Sequence, residues 1–421
     1  MMVDARRPSG PDRSARIGAR TAAWWRCSAV TVVVVAVAAC AAPPTPSPPA
    51  GAATTSTATA SSATTGGSGP GRAKLVEIGW DTPGAAYVRD NVRTIEELPF
   101  DGIAMTPVQG TTPDMFEDRA WTADDVQLDA FASIEWRRFT DNYLSVRGQS
   151  PSGGGWFDDA RWDRITGNTQ QLSAAVAAAG ARGIFLDPEF YYDDEIADSA
   201  WRYNATQYPD RDFATVEAQV RRRGAQFMTA LQSAQPDVTV VLMFSLGMVY
   251  AQAAEEDGDR ASVQYALIPA FVNGMLDTAG PAVRVVDGNE GGYYYRTPQD
   301  FSGAADWIRD EGATLLDREH RARYGRNAVG AAVSPDCAFG LWTGPDFTVC
   351  DPGTLSAADR RELLEDNVHA ALRTADDVVW FYNESFDLVG PNLTGNPEVE
   401  PPEGLDRRAV LDAVTAARAR T

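Results

Sequence analysis

The sequence predicts a (β/α)8 barrel carried behind a leader and a tether. Three observations carry this expectation. From residue 74 to the C-terminus, short apolar runs alternate with stretches of helical period, and the alternation repeats eight times. Runs such as 183–187 are apolar on both faces, which suits parallel strands covered on both sides. Most of the runs end in acidic or aromatic residues, as strands do at the C-terminal mouth of such a barrel.

The first strand is expected over 75–81, with a helix over about 85–98. The second covers 102–106 and leads into a long irregular insertion in which no helix is evident. The third, 143–147, passes through a Gly/Ser loop to a helix at about 168–181. The fourth lies in the run 183–191, entered through Gly183 and ended by Pro188. Its helix carries Phe213, Val216, Val220, Phe227 and Leu231 at helical spacing. A fifth strand over 238–244 precedes a helix near 263–276, and a sixth over 283–287 precedes one near 298–321. The seventh, 328–333, precedes a helix that Ser356 and Asp359 can cap reciprocally. The eighth spans 378–384, and a last helix runs over about 405–418.

Residues 1–39 have the form of a targeting segment, with Arg6, Arg7, Arg13, Arg16, Arg20 and Arg26 ahead of the apolar run 29–37. That run is too short to span a bilayer. Val37-Ala38-Ala39-Cys40 resembles a bacterial lipobox, which implies a lipid on Cys40 after cleavage. Residues 40–72 are rich in Pro, Thr, Ser, Ala and Gly, cannot bury a core, and read as a disordered tether. Residues 73–421 are then the barrel domain, placed at the outer face of the cell membrane or secreted, and expected to be monomeric.

The net charge of −21 argues against nucleic acid and anionic membranes as partners. It suits neutral or cationic material. His320 and His369 are the only histidines and both fall in expected helices, so a histidine-ligated metal or a Ser-His-Asp triad is not expected. No metal or other cofactor is called for. Cys337 and Cys350 flank one loop after the seventh strand, and in an exported protein they are expected to be joined.

Several strand ends deliver carboxylates toward one mouth: Asp81, Asp187 with Glu189, Asp287, and Glu384, with Glu290 just past the sixth strand. Side chains alternate along a strand, so Phe185, Asp187 and Glu189 share a face. Acids crowded in a cleft push their pKa values apart, so that one stays protonated while another ionises. Aromatics gather at the same ends: Trp80, Tyr191, Tyr192, Tyr293, Tyr294, Trp342, Trp380 and Tyr382. Rings there suit stacking on sugar faces, although core packing is the ordinary role for several, Trp380 among them. Arg147, at the end of the third strand, is placed to orient a carboxylate or a substrate oxygen.

Paired carboxylates beside aromatic rings at the mouth of a barrel resemble the (β/α)8 glycoside hydrolases. Asp187-x-Glu189 is similar to the end of the fourth-strand motif of family 18 chitinases, Asp-Gly-x-x-Asp-x-Asp-x-Glu. The resemblance implies Glu189 as the acid and Asp187 as its partner, which in that family orients the acetamido group that attacks the anomeric carbon. Ala181, Arg182 and Phe185 depart from the earlier part of that motif, and the sixth strand lacks the family's Met-x-Tyr-Asp. Gly79-Trp80-Asp81 and Asp287-Gly288-Asn289-Glu290 are similar to marks of a bacterial branch of glycosidase-like barrels. The expectation is a hydrolase of extracellular or envelope polysaccharide with Glu189 as acid and Asp287 as second carboxylate, Glu384 and Glu290 standing behind it. A non-catalytic sugar-binding lipoprotein, or an inactive barrel serving as a scaffold, is the alternative.

Overall fold

A computed structural model describes residues 73–108, 112–150, 152–191, 200–325, 328–391 and 399–421. The leader, the tether, Cys40 and Tyr192 lie outside the described residues. Eight parallel strands form one sheet: β1 Lys74–Gly79, β2 Gly102–Met105, β3 Tyr143–Arg147, β4 Gly183–Asp187, β5 Thr239–Leu242, β6 Arg284–Asp287, β7 Ala331–Val333 and β8 Val378–Asn383. Their order is β6-β5-β4-β3-β2-β1-β8-β7. The ring closes between β6 and β7, where Asp287 N–H donates to Ala328 O (2.8 Å) and Gly330 N–H to Asp287 O (2.8 Å). This is the expected (β/α)8 barrel. Gly183 opens β4 because any Cβ there would lie 1.8 Å from Thr239 O of the neighbouring strand.

Alternation sorts the side chains into two cores. Val76, Ile78, Ala104, Tyr143, Phe185, Val241, Val286, Ala332 and Trp380 fill the barrel. The residues between them in sequence, such as Leu75, Leu144, Ile184, Val240 and Phe381, pack outward against the helices. Each Val, Leu, Ile or Phe side chain so buried contributes on the order of 1.5–3 kcal/mol.

The outer helices mostly follow expectation, with differences that have local causes. The third-unit helix is Asp159–Ala178 and starts earlier than its periodicity suggested, because Asp158 caps it by accepting from Arg161 N–H (2.9 Å). The reciprocal Ser356–Asp359 cap forms at the head of Ala357–Thr374. The second unit has only Ala123–Val126 and Leu128–Ala132, separated by Gln127 in the left-handed region (φ 52°). The expected helix at 298–321 is instead Pro298–Asp310, a 3-10 turn Gly312–Leu315 and Arg318–Tyr324. Gly312 breaks it: a Cβ there would sit 3.0 Å from Gly247 N of a helix the sequence did not announce, Leu246–Glu255.

Candidate active site

β4 and β8 stand four strands apart in either direction around the ring, so their C-terminal ends face each other across the mouth. From β4 come Asp187 and, one residue beyond Pro188, Glu189. Asp187 is 6% exposed and accepts from Tyr191 O–H (2.7 Å) and Glu189 N–H (2.8 Å). From β8 comes Glu384, which accepts from Tyr382 O–H (2.9 Å) and Trp342 Nε1–H (3.2 Å). Trp80 Nε1–H in turn donates to Tyr382 Oη (3.0 Å), extending a chain of donors that ends on Glu384. Beyond β6, Asn289 takes a left-handed conformation (φ 50°) and turns the chain into Glu290–Tyr294, which adds Glu290 to the cluster.

Burial sets the proton inventory. It pushes Asp187 up to about 6, against the hydrogen bonds from Tyr191 and Glu189 and the charge of Arg147. Burial, then the charges of Asp187 and Glu384, push Glu189 up to about 8. Burial and the neighbouring Asp336 push Glu384 up to about 8 as well. Glu290 is raised well above its ordinary value by burial and by Glu189 and Asp187. The first of these to ionise is therefore Asp187, and its charge holds the proton on Glu189.

The other expected residues fall in different places. Arg147 stacks on Tyr191 (5.7 Å from the ring centre) and is ion-paired to Asp114 (2.7 Å). Tyr294 and Trp342 are half-buried at the rim, 6.2 Å apart between ring centres. Tyr293 is buried at the base of the mouth, packed on Trp380, Tyr382 and Trp342. Trp380 is fully buried, with its Nε1–H donating to Gly288 O (2.7 Å), so it belongs to the barrel core and not to a binding surface.

Two carboxylates turn away from the barrel interior. Val286 points into the barrel, so Asp287 points out of it, toward the helix Leu246–Glu255. There it accepts from Gly247 N–H (3.0 Å) and Asn289 N–H (3.1 Å) and serves as a helix cap. The expectation was Asp287 as second carboxylate; the parity sets it outside the ring of inward-facing side chains, on the wall of the neighbouring cleft that Glu189 and Glu290 also line, and not beside Glu384. Asp81 likewise lies outside the ring, 2% exposed, accepting from Val389 N–H (2.7 Å) and Gly390 N–H (3.4 Å). Glu77 beside it is fully buried, and burial together with Asp81 raises its pKa far above the usual range. Glu77 Oε2 meets no N–H or O–H donor, as fits a protonated oxygen that itself donates to Asp81. Asp81 therefore fastens the loop at Val389 and Gly390 from a buried position.

Sequence reasoning missed Asp114, Gln149, Asp336 and Tyr265. Asp114 and Gln149 steady Arg147 and Tyr191, Gln149 by accepting from Tyr191 N–H (2.9 Å). Asp336 is fully buried and accepts from Glu384 N–H (3.0 Å) and Ser385 N–H (3.1 Å), fixing the backbone that carries Glu384. Burial, then the charges of Glu189 and Glu290, raise the pKa of Tyr265 well above its ordinary value. Only Asp336, at the end of the seventh strand, carried a positional signal.

A cleft of about 390 Å³ opens beside the cluster and is lined by Glu189, Glu290, Phe244, Met248, Tyr265 and Trp307, among others. A separate cavity of about 310 Å³ lies at the opposite end of the barrel, beside Arg182, Arg284 and Arg323, away from these carboxylates. Among the described residues, Asp317, Glu319 and His320 bring three metal-type ligands within 4.8 Å of one another. His320 is bonded there to Asp277 (2.9 Å), and Asp317 is paired with Arg221, so both are already partnered.

Cys337 and Cys350 are joined, closing a loop of 13 residues that carries Trp342. Replacing both by Ser is expected to cost about 3 kcal/mol of stability in the chain-entropy model, readable in a denaturant titration. A second expectation follows from the raised carboxyls Glu77, Asp81, Asp187, Glu189, Glu217, Asp287, Glu290, Asp336 and Glu384. Their folded pKa values exceed the unfolded ones, so between about pH 4 and 8 the folded state binds more protons. Stability must fall as pH rises through that window. The melting temperature should be several degrees lower at about pH 8.5 than at about pH 5.

No known protein family and no curated protein matches the sequence. Solved structures similar to it include an exo-β-1,4-mannosidase from Opitutaceae bacterium strain TAV5, 13% identical, TM-score 0.45, covering 83% of this chain and 60% of that one. A GH18 chitinase from Pseudoalteromonas aurantia is 11% identical, TM-score 0.36, covering 74% and 94%. A D-psicose 3-epimerase from Clostridium cellulolyticum H10 is 10% identical, TM-score 0.37, covering 82% and 97%. At such identities the likeness extends to the barrel and not to its chemistry.

Proposed function

We propose that this chain is a glycoside hydrolase acting on polysaccharide outside the cell. The observation that carries the reading is the pair Glu189 and Glu384, set at the ends of diametrically opposite strands of an aromatic-lined mouth, where burial first, then Asp187 and Glu384, raise Glu189. Glu189, held protonated by Asp187, donates to the glycosidic oxygen as its bond to the anomeric carbon breaks. Glu384 acts on the anomeric carbon from the far side, either directly or by taking a proton from the attacking water. Water supplies the hydroxyl gained by one product and the proton that returns to Glu189. Tyr382 and Trp342 stabilise the anion on Glu384, while Asp187 destabilises one on Glu189; both are raised to about 8, and the productive form is the one in which the shared proton rests on Glu189. The leader and Cys40 support export and lipid anchoring.

The test is release of new reducing ends from a panel of neutral and cationic polysaccharides by the full chain. Release from none of them would leave the sugar-binding reading in its place. On a cleaved substrate, kcat/KM is expected to be bell-shaped with its maximum near pH 8. The acid limb reports Glu384, which must ionise, and the basic limb Glu189, which must keep its proton; both are raised to about 8. A maximum near pH 5 would mean that the pair is not perturbed in this way.

A further inference from the structure

The cleft beside the mouth presents buried acceptors that no donor among the described residues satisfies. The helix Leu246–Glu255 supplies Met248, Gln252 and Glu255 to its wall, and the segment before the helix Ile268–Thr278 supplies Gln264 and Tyr265. Gln252 Oε1 and Gln264 Oε1 are buried and have no hydrogen-bond partner, and Gln264 as a whole is 9% exposed. A buried acceptor left unpaired is costly, so both atoms ask for a donor from a ligand. Carboxyl groups stand at the two ends, Glu189 and Glu290 inside and the exposed Glu255 and Glu256 at the rim, while Arg202 contributes a cation. The net charge of −21 adds to the same field.

We propose that this cleft is a subsite for a sugar unit carrying a free amino group. The ammonium donates to Gln252 Oε1 and Gln264 Oε1 and is drawn in by Glu255 and Glu256, and the ring lies against Tyr265 and Met248. Three donors on one compact cation suit a site so rich in acceptors. A uronic or sulfated sugar meets like charge there. An N-acylated sugar offers one donor and no charge. The proposal deepens the hydrolase reading and rests on it only for what happens at the neighbouring carboxylates.

The experiment is calorimetric titration of the full chain carrying Glu189→Gln, so that turnover does not intrude. The probes are an oligomer of β-1,4-linked glucosamine and its fully N-acetylated counterpart, each at low and high salt. The free-amine oligomer is expected to bind at least about tenfold more tightly, with the advantage shrinking as salt screens the rim charges. Glu255→Gln with Glu256→Gln should weaken it roughly two- to tenfold. Gln252→Leu with Gln264→Leu should abolish the preference. Equal affinity for the acetylated oligomer, or a preference that survives the glutamine replacements as mere attraction to an acidic surface, would overturn the proposal. Tight, selective binding of an amine oligomer that the parent chain never cleaves would uphold the subsite and sink the hydrolase. Cleavage of neutral polymers without amine preference would do the reverse.

Discussion

Glu189→Gln is expected to lower turnover by about 10²–10⁴-fold while leaving affinity for oligosaccharide within a few-fold. The substitution keeps the shape and removes a proton that burial and the Asp187 charge hold in the mouth. The loss should be largest for substrates with poor leaving groups, since an aryl leaving group of low pKa needs little help from an acid. A purely structural role for Glu189 would predict equal losses for both kinds of substrate. The same variant should melt higher than the parent near pH 8, because a carboxyl that burial and Asp187 disfavour as an anion is gone, and the difference should vanish near pH 5.

Glu384→Gln should be as damaging, by about 10³-fold, for the complementary reason. Glu384 is where the donors converge: Tyr382 O–H and Trp342 Nε1–H on its oxygens, Trp80 behind Tyr382, and Asp336 holding its backbone N–H. Such an arrangement stabilises a carboxylate at the moment it must be charged. Tyr382→Phe removes one donor, so the acid limb of the pH profile should move to higher pH with the basic limb unchanged. Steady-state rates across pH for the parent and Tyr382→Phe check this. An unmoved acid limb would place the ionising group elsewhere.

Much of the architecture was legible in the sequence because alternating strand and helix patterns have few solutions. The strand cores, the Ser356 cap and the pairing of Cys337 with Cys350 were open to local rules. What local rules missed was parity relative to the ring. Asp187 follows Phe185 into the barrel, whereas Asp287 follows Val285 outward, and a single-residue difference in phase decides between mouth and helix cap. Asp81 is turned out in the same way beside Glu77. Glu290 and Glu384 sit beyond strand ends, where the left-handed Asn289 and the Asp336 hydrogen bonds direct the chain, and neither device has a sequence period. Asp114 reaches Arg147 from an insertion without pattern, and the helix Leu246–Glu255 was hidden between two stronger signals.

The most direct test of the account is the rate of reducing-end release at pH 8 by the parent, Glu189→Gln and Asp287→Asn chains, each assayed below its melting temperature. The predicted result is release by the parent, release by Asp287→Asn within about tenfold of it, and release by Glu189→Gln lower by about 10²–10⁴-fold. Release by Glu189→Gln at the parental rate, or a folded Asp287→Asn chain without activity, would contradict the placement of the chemistry in the mouth between β4 and β8.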